Sequence, residues 1–331
     1  MSPLRRGAWP AWTAVAALLL AQGCASGPGS RAAQSVAAPT IAPIASRSAV
    51  ERVAAEGLIQ LPITIHEGYP LIAGEVNGKH GRFMLDTGSP FGFFINSRFA
   101  PVTVGPEVGR GQAGSGQAIV VHQGHGVTSL TLGGSGSREV QPAEPSKASG
   151  IMSADFAFLQ EGLVPDFLGF IGAPWLSSFV FSLRYEPAQW LLTGTGADAQ
   201  RLLEGSERVA LVRFEGKEGP LPYATFQVDG VDIRVRFDTG TPGGLQLTPE
   251  FKARLERTGA LHCREDAKPA PRLQCVLRGL RYGPAELTLD AIATNTGADN
   301  RITLGTALLG RYVSVWNLSA STLDLRRDAP R

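Results

Sequence analysis

Two segments of this chain end an apolar run in an aspartate and follow it with a hydroxyl residue and a glycine. They read Phe83-Met84-Leu85-Asp86-Thr87-Gly88-Ser89 and Val235-Arg236-Phe237-Asp238-Thr239-Gly240-Thr241. One such Asp capping a turn is ordinary structural chemistry. Two copies are different, because carboxyls brought within about 3 Å cannot both ionise easily and titrate as a pair sharing one proton. A pair of that kind holds a base and an acid at once. Glycine lets two backbone turns approach closely, so the copies become a working pair only where the fold sets them face to face.

The elements that would do so form an internal repeat. The offset of 152 between Asp86 and Asp238 holds without a gap from Asn77 against Asp229, through Pro90 against Pro242, to Phe99 against Phe251. Asn77-Gly78 and Asp229-Gly230 each separate two strand-like runs, Tyr69 to Val76 then Phe83 to Leu85, and Tyr223 to Val228 then Val231 to Phe237. These are expected hairpins, the second the tighter. A later match, at an offset of 133, sets Phe170 to Leu176 and Phe179 to Phe181 against Thr303 to Leu309 and Tyr312 to Ser314. Each copy then ends in a strand pair finishing at Trp190 to Leu192 or Leu323 to Leu325. The fall in offset gives the first copy about 19 extra residues. They are assigned to the Gly/Ser/Pro-rich stretch 109–162 and read as loop or flap.

At 331 residues the chain exceeds what one core usually serves, and its 18% charged residues without Lys/Glu runs favour β-structure. Fibrous, coiled-coil and wholly disordered classes are excluded. Net charge is +2 and falls to zero without Arg5 and Arg6, so nothing steers a polyanion and no nucleic-acid partner is expected.

Arg5 and Arg6, the apolar stretch Ala14 to Ala21 and the small residues after it have the layout of a secretory signal over 1–23, too short to span a bilayer. Ala21-Gln22-Gly23-Cys24 resembles the lipobox of bacterial lipoproteins, which implies an acylated Cys24 at the mature N-terminus. Cleavage nearby by ordinary signal peptidase is the alternative. Residues 24–57, rich in Ala, Ser, Pro and Gly, read as lipid anchor and flexible tether. Ala25 points to the outer membrane, and the cell envelope is the expected location. Cys263 and Cys275 are then an even pair in an oxidising compartment, read as a disulfide across a hairpin, with a metal site through His262 as the alternative. His122 and His125, in a Gly-rich stretch, read as incidental. No metal and no cofactor are expected.

One Asp-Thr-Gly-Ser/Thr per half, each preceded by an apolar strand and followed by an apolar-apolar-Gly turn, resembles the aspartic proteases, and most of all bacterial retropepsin-like proteins with two fused lobes. The resemblance spans 58–328 and is specific at the two triplets and the two Gly turns. It implies an all-β fold of two related barrel-like lobes, 58–199 and 200–328, each with a short helix after its Gly turn and with an active-site cleft between them. It implies Asp86 and Asp238 as the catalytic dyad, Thr87 and Thr239 as a brace between lobes, Gly88 and Gly240 as the points of close approach, and Ser89 and Thr241 as outer donors to the carboxylates. The implied activity is endopeptidase hydrolysis by a water that the dyad activates. Pro90 and Pro242 depart from the small polar residue many members carry. No flap aromatic is recognisable; Gly114, Ser115, Gly116 and Gln117 are the flap candidates, and the Cys263 to Cys275 loop occupies the matching region of the second half. The expected partners are a protein or peptide substrate and, through the anchor, a membrane. Both lobes lie in one chain, so a monomer is expected. The rival reading is a non-catalytic, lipid-anchored module that holds an extended peptide as an added strand.

Overall fold

The structure is a computed structural model that describes residues 53, 57–113, 117–133, 150–194, 197–216, 221–266 and 272–328. The expectations for the signal 1–23, for Cys24 and for the flap candidates Gly114, Ser115 and Gly116 lie outside the described residues, as does most of the tether 24–57. Its end does not: Val53 is fully buried in the core, Gly57 N–H donates to its carbonyl at 2.9 Å, and folded structure therefore begins before residue 58.

In the first lobe the chain runs β1 (Leu58–Leu61), β2 (Ile63–His66), β3 (Tyr69–Val76), β4 (Lys79–Asp86), β5 (Phe93–Asn96), β6 (Thr103–Gln112), β7 (Ala118–His125), β8 (Leu130–Leu132) and β9 (Ile151–Ala154). Helix α1 (Ala157–Gly162), β10 (Phe167–Gly172), α2 (Ala173–Leu176), β11 (Val180–Tyr185) and β12 (Ala188–Thr193) complete it. The second lobe runs β13 (Ser206–Arg213), β14 (Tyr223–Val228), β15 (Val231–Phe237), β16 (Gly243–Leu247), α3 (Pro249–Arg257), β17 (Leu261–Asp266), β18 (Arg272–Tyr282), β19 (Ala285–Thr296), β20 (Arg301–Leu304), α4 (Thr306–Leu309), β21 (Val313–Asn317) and β22 (Thr322–Asp328). The architecture is all-β with two related lobes. A 3-10 helix, Ala197–Leu203, lies across the expected 199/200 boundary.

Asn77-Gly78 and Asp229-Gly230 make the turns of two hairpins, with all four residues at positive φ as a two-residue turn of this hand requires. Val76 pairs Lys79 and Val228 pairs Val231, so the hairpins are equally tight, contrary to expectation. In β4 and β15 the two-residue period then divides the side chains. Phe83 and Leu85, with Ile233, Val235 and Phe237, enter the main core, whereas Met84 and Arg236 share the opposite face with Asp86 and Asp238. Each aspartate strand pairs in parallel with the strand of a Gly turn, β4 with β10 and β15 with β20.

The lobe sheets have matching cores, β3-β4-β10-β5-β9 and β14-β15-β20-β16-β19, and in the second lobe a β14–β18 contact at Gln227 and Arg281 curls the sheet into a barrel. A third sheet, ordered β1-β12-β11-β21-β22-β13, belongs to both lobes. Its central seam is β11 against β21, where Phe181 stacks on Trp316 with ring centroids 5.8 Å apart. The terminal strand pairs of the repeat are thus the join between lobes.

The stretch 109–162 is not all loop: besides the β6–β7 hairpin it carries β8 on β3, β9 between β5 and β7, and α1. Buried apolar residues at Ile151, Phe156 and Leu159 supply the anchors for β9 and α1. Helix α3 was also unforeseen, although Thr248 accepts from Phe251 N–H at its N-cap and Pro249 opens its first turn. His122 lies in β7, its Nδ1 3.1 Å from the Gly105 carbonyl oxygen. Among the described residues no helix is long and apolar enough to cross a membrane.

Cys263 and Cys275 form a disulfide directly across the β17–β18 pair, which occupies the place of β6–β7 in the first lobe. Closing a loop of this length removes about 3 kcal/mol worth of unfolded-state freedom. Replacing both cysteines by serine is expected to lower unfolding free energy by about 2 to 3 kcal/mol, read from denaturant midpoints under non-reducing conditions, with the wild type falling to the same value on reduction.

Candidate functional site

The two Asp-Thr-Gly loops meet and hold each other by reciprocal hydrogen bonds. Thr87 N–H donates to Thr239 Oγ1 at 3.0 Å, and Thr239 N–H donates to Thr87 Oγ1 at 3.1 Å. Each hydroxyl passes its own proton on across the interface, Thr239 to the Leu85 carbonyl at 2.7 Å and Thr87 to the Phe237 carbonyl at 3.3 Å. The geometry is that of the expected brace, and all four groups are buried and satisfied.

Each carboxyl is tethered within its own loop and seated on the glycine of the other. Gly88 N–H donates to Asp86 Oδ1 at 2.8 Å, and Gly240 N–H to Asp238 Oδ1 at 2.9 Å. A β-carbon on Gly88 would lie 2.3 Å from the Asp238 carboxyl carbon, and one on Gly240 2.5 Å from that of Asp86. Any side chain there would drive the carboxyls apart. The apolar-Gly turns close in from behind: a β-carbon on Gly172 would meet the Phe91 carbonyl at 2.0 Å, and one on Gly305 the Thr241 carbonyl at 2.1 Å. Ala173 N–H donates to the Ser89 carbonyl and Thr306 N–H to that of Thr241, so the second match of the repeat supports the loops of the first.

Ser89 and Thr241 do not act as outer donors. Ser89 Oγ donates to the Phe91 carbonyl at 3.5 Å, and Thr241 Oγ1 accepts from Gly243 N–H at 3.3 Å. Each hydroxyl sits where Pro90 or Pro242 bends the chain, and it closes that turn in place of reaching forward to a carboxylate. Of the flap candidates, Gln117 lies at the tip of the β6–β7 hairpin, where its carbonyl accepts from Ala113 N–H at 2.8 Å. Below the tip, Ala113, Ile119 and Val121 are buried in one apolar cluster with Met84, Phe94, Phe156 and Phe170. The hairpin therefore packs on the face of the first lobe from which Asp86 projects.

Both carboxyls are buried, Asp86 at 3% and Asp238 at 0% exposure. Burial, then the charge of Asp238 and a hydrogen bond to it, raise Asp86 well above the ordinary aspartate value; the Gly88 N–H and Arg236 oppose this less strongly. Two neighbours escaped the sequence analysis. Arg236 is buried with Nη2 2.9 Å from Asp238 Oδ2, an ion pair outside hydrogen-bond alignment. The repeat already set it against Met84, and a charge at a strand position two before an aspartate was the available signal. Tyr185 comes from β11 with a buried hydroxyl that burial, and secondarily Asp238, hold far on the protonated side; nothing local in the sequence marks it.

No family model matches the chain, and no curated protein matches it. Among solved structures, the chain is similar to basic 7S globulin from soybean, with TM-score 0.50 and 12% identity over 81% of this chain and 94% of that one. It also aligns with conglutin gamma, a basic 7S globulin from lupine seeds, with TM-score 0.48 and 12% identity over the same shares. The soybean likeness establishes the two-lobed β fold. This corrects the expected membership of a bacterial retropepsin-like family: the soybean neighbour is a seed globulin, and no family model ties the chain to that group.

A raised Asp86 makes the fold favour protons. Its contribution to stability is complete below the unfolded-state value near 3.8 and is lost as pH rises through the higher folded-state value. The melting temperature of the wild type is expected to fall over that rise in pH, and Asp86→Asn to remove this part of the fall, in paired melts across the acid and neutral range.

Proposed function

We propose that this chain hydrolyses peptide bonds by acid–base catalysis, with a water activated between Asp86 and Asp238. The observation that carries this reading is the seating of each carboxyl on the glycine of the opposite loop, braced by Thr87 and Thr239. Polar groups are costly to bury, and two carboxyls buried against each other serve no packing purpose that apolar residues would not serve better. One ionised carboxylate would take a proton from water while the neighbouring acid protonates the carbonyl oxygen of the substrate, with no covalent intermediate. The β6–β7 hairpin is the cover that opens to admit an extended protein or peptide substrate. The rival reading, a binding module without catalysis, is favoured by one observation: Arg236 occupies one oxygen of Asp238.

Asp86→Asn is the decisive variant, because it keeps shape and leaves a neutral group where a neutral one is favoured. It is expected to lower kcat/KM on a denatured protein substrate by at least about 1,000-fold while the fold is retained. Asp238→Asn is expected to lose activity equally and also about 3 to 5 kcal/mol of stability, since Arg236 is left buried without its partner. Undiminished hydrolysis in Asp86→Asn would refute the reading.

The signal over 1–23 and acylation of Cys24 belong to the same proposal, placing the lobes at a bacterial envelope on a tether. Cys24→Ala is expected to release the protein from the membrane fraction and to abolish incorporation of a labelled fatty acid.

A further inference from the structure

Among the described residues, Arg236 is the charged group at the dyad that neither triplet nor brace accounts for. Its partner in the repeat, Met84, packs among Phe94, Phe156 and Phe170, as the apolar setting of that face would dictate. On the second lobe the same strand position instead brings a guanidinium to Asp238, the two side chains 5% and 1% exposed. An arginine is always charged, and its desolvation is offset only while the carboxylate beside it stays ionised. Among the described residues Asp86 has no such partner. Its carboxyl holds the Gly88 N–H and faces Asp238 across the interface.

We propose that Arg236 is a positioning residue that decides which carboxyl carries the charge: Asp238 stays ionised against the guanidinium, and the shared proton resides on Asp86. This deepens the hydrolytic reading and rests on it, making Asp238 the base and Asp86 the acid although their loops are nearly identical. The upward shift of Asp86, in which Asp238 outweighs the opposing Arg236, agrees with that placement. The other titratable and charged groups on this face leave it intact. Tyr185, from β11, stays protonated, and Arg234, two residues before Arg236, lies over the Tyr223 ring at 4.1 Å. With the guanidinium present, the pair resists taking up a second proton, which extends the singly protonated state toward acid pH.

The test uses the full chain with 13C-labelled aspartate carboxyls, assigned by Asp86→Asn and followed from acid to neutral pH; these signals are read whether or not peptide is turned over. In the wild type, the Asp86 signal is expected at its protonated position while that of Asp238 is at its ionised position, and the reverse order overturns the proposal. Arg236→Met, which copies the first lobe, is expected to move the acid-side transition of the pair upward by about one pH unit or more, with about a tenfold loss of kcat/KM at the acid edge. Arg236→Lys should return both toward wild type. An unmoved transition in Arg236→Met overturns the proposal, and if that variant does not fold, the wild-type order of protonation decides alone. Ordered protonation in a wild type that hydrolyses no peptide upholds the placement of the proton and refutes the hydrolytic reading instead.

Discussion

Two hydroxyls, each accepting the other loop's backbone N–H and donating to a carbonyl beyond it, hold the centre of this molecule. The Thr87 and Thr239 brace satisfies buried polar backbone that no strand ladder reaches, and an unsatisfied group there would cost about 1 to 3 kcal/mol. Because the bonds are reciprocal, the lobes can approach in one register only. That register puts each carboxyl where a β-carbon of the opposing glycine would have been. Brace, glycine and carboxyl thus form a single constraint, and the Gly172 and Gly305 turns exist to press the loops into it.

The common six-stranded sheet does on a larger scale what the brace does locally. Its β11–β21 seam joins the closing hairpins of the two lobes, and stacking of Phe181 on Trp316 adds aromatic burial to the ladder. A rotation of one lobe against the other has to break either this seam or the brace. The covering hairpins are freer to differ: β17–β18 is crosslinked by Cys263 and Cys275, whereas β6–β7 is held by Ile119 and Val121 against the face of the first lobe.

Electrostatically the two halves have parted company. Their backbones meet as near equals, but the first lobe presents Met84 and a wall of phenylalanines to the dyad, and the second presents Arg236. A buried ion pair is weak support for stability. Its consequence lies in breaking the equivalence of two carboxyls that sequence and backbone treat alike.

The repeat and the turn pairs Asn77-Gly78 and Asp229-Gly230 were legible in one dimension, because period and turn chemistry are local; the cysteine count made a Cys263–Cys275 disulfide the first reading, and the all-β, two-lobed class came with the resemblance that the repeated motifs carry. The sequence also singled out Asp86, Asp238 and the threonines, since a triplet found twice at one offset is itself a statement of symmetry. It misplaced Ser89 and Thr241, whose hydroxyls turn back on their own loops, and it missed the strands and helix within 109–162, where glycine and serine hide a few decisive apolar anchors. Tertiary structure alone decided that β11 pairs β21, that Tyr185 arrives beside Asp238, and that Arg236 is buried against a carboxylate. Those outcomes depend on which surfaces are taken out of water together, and burial is a property of the assembled lobes that no segment carries alone.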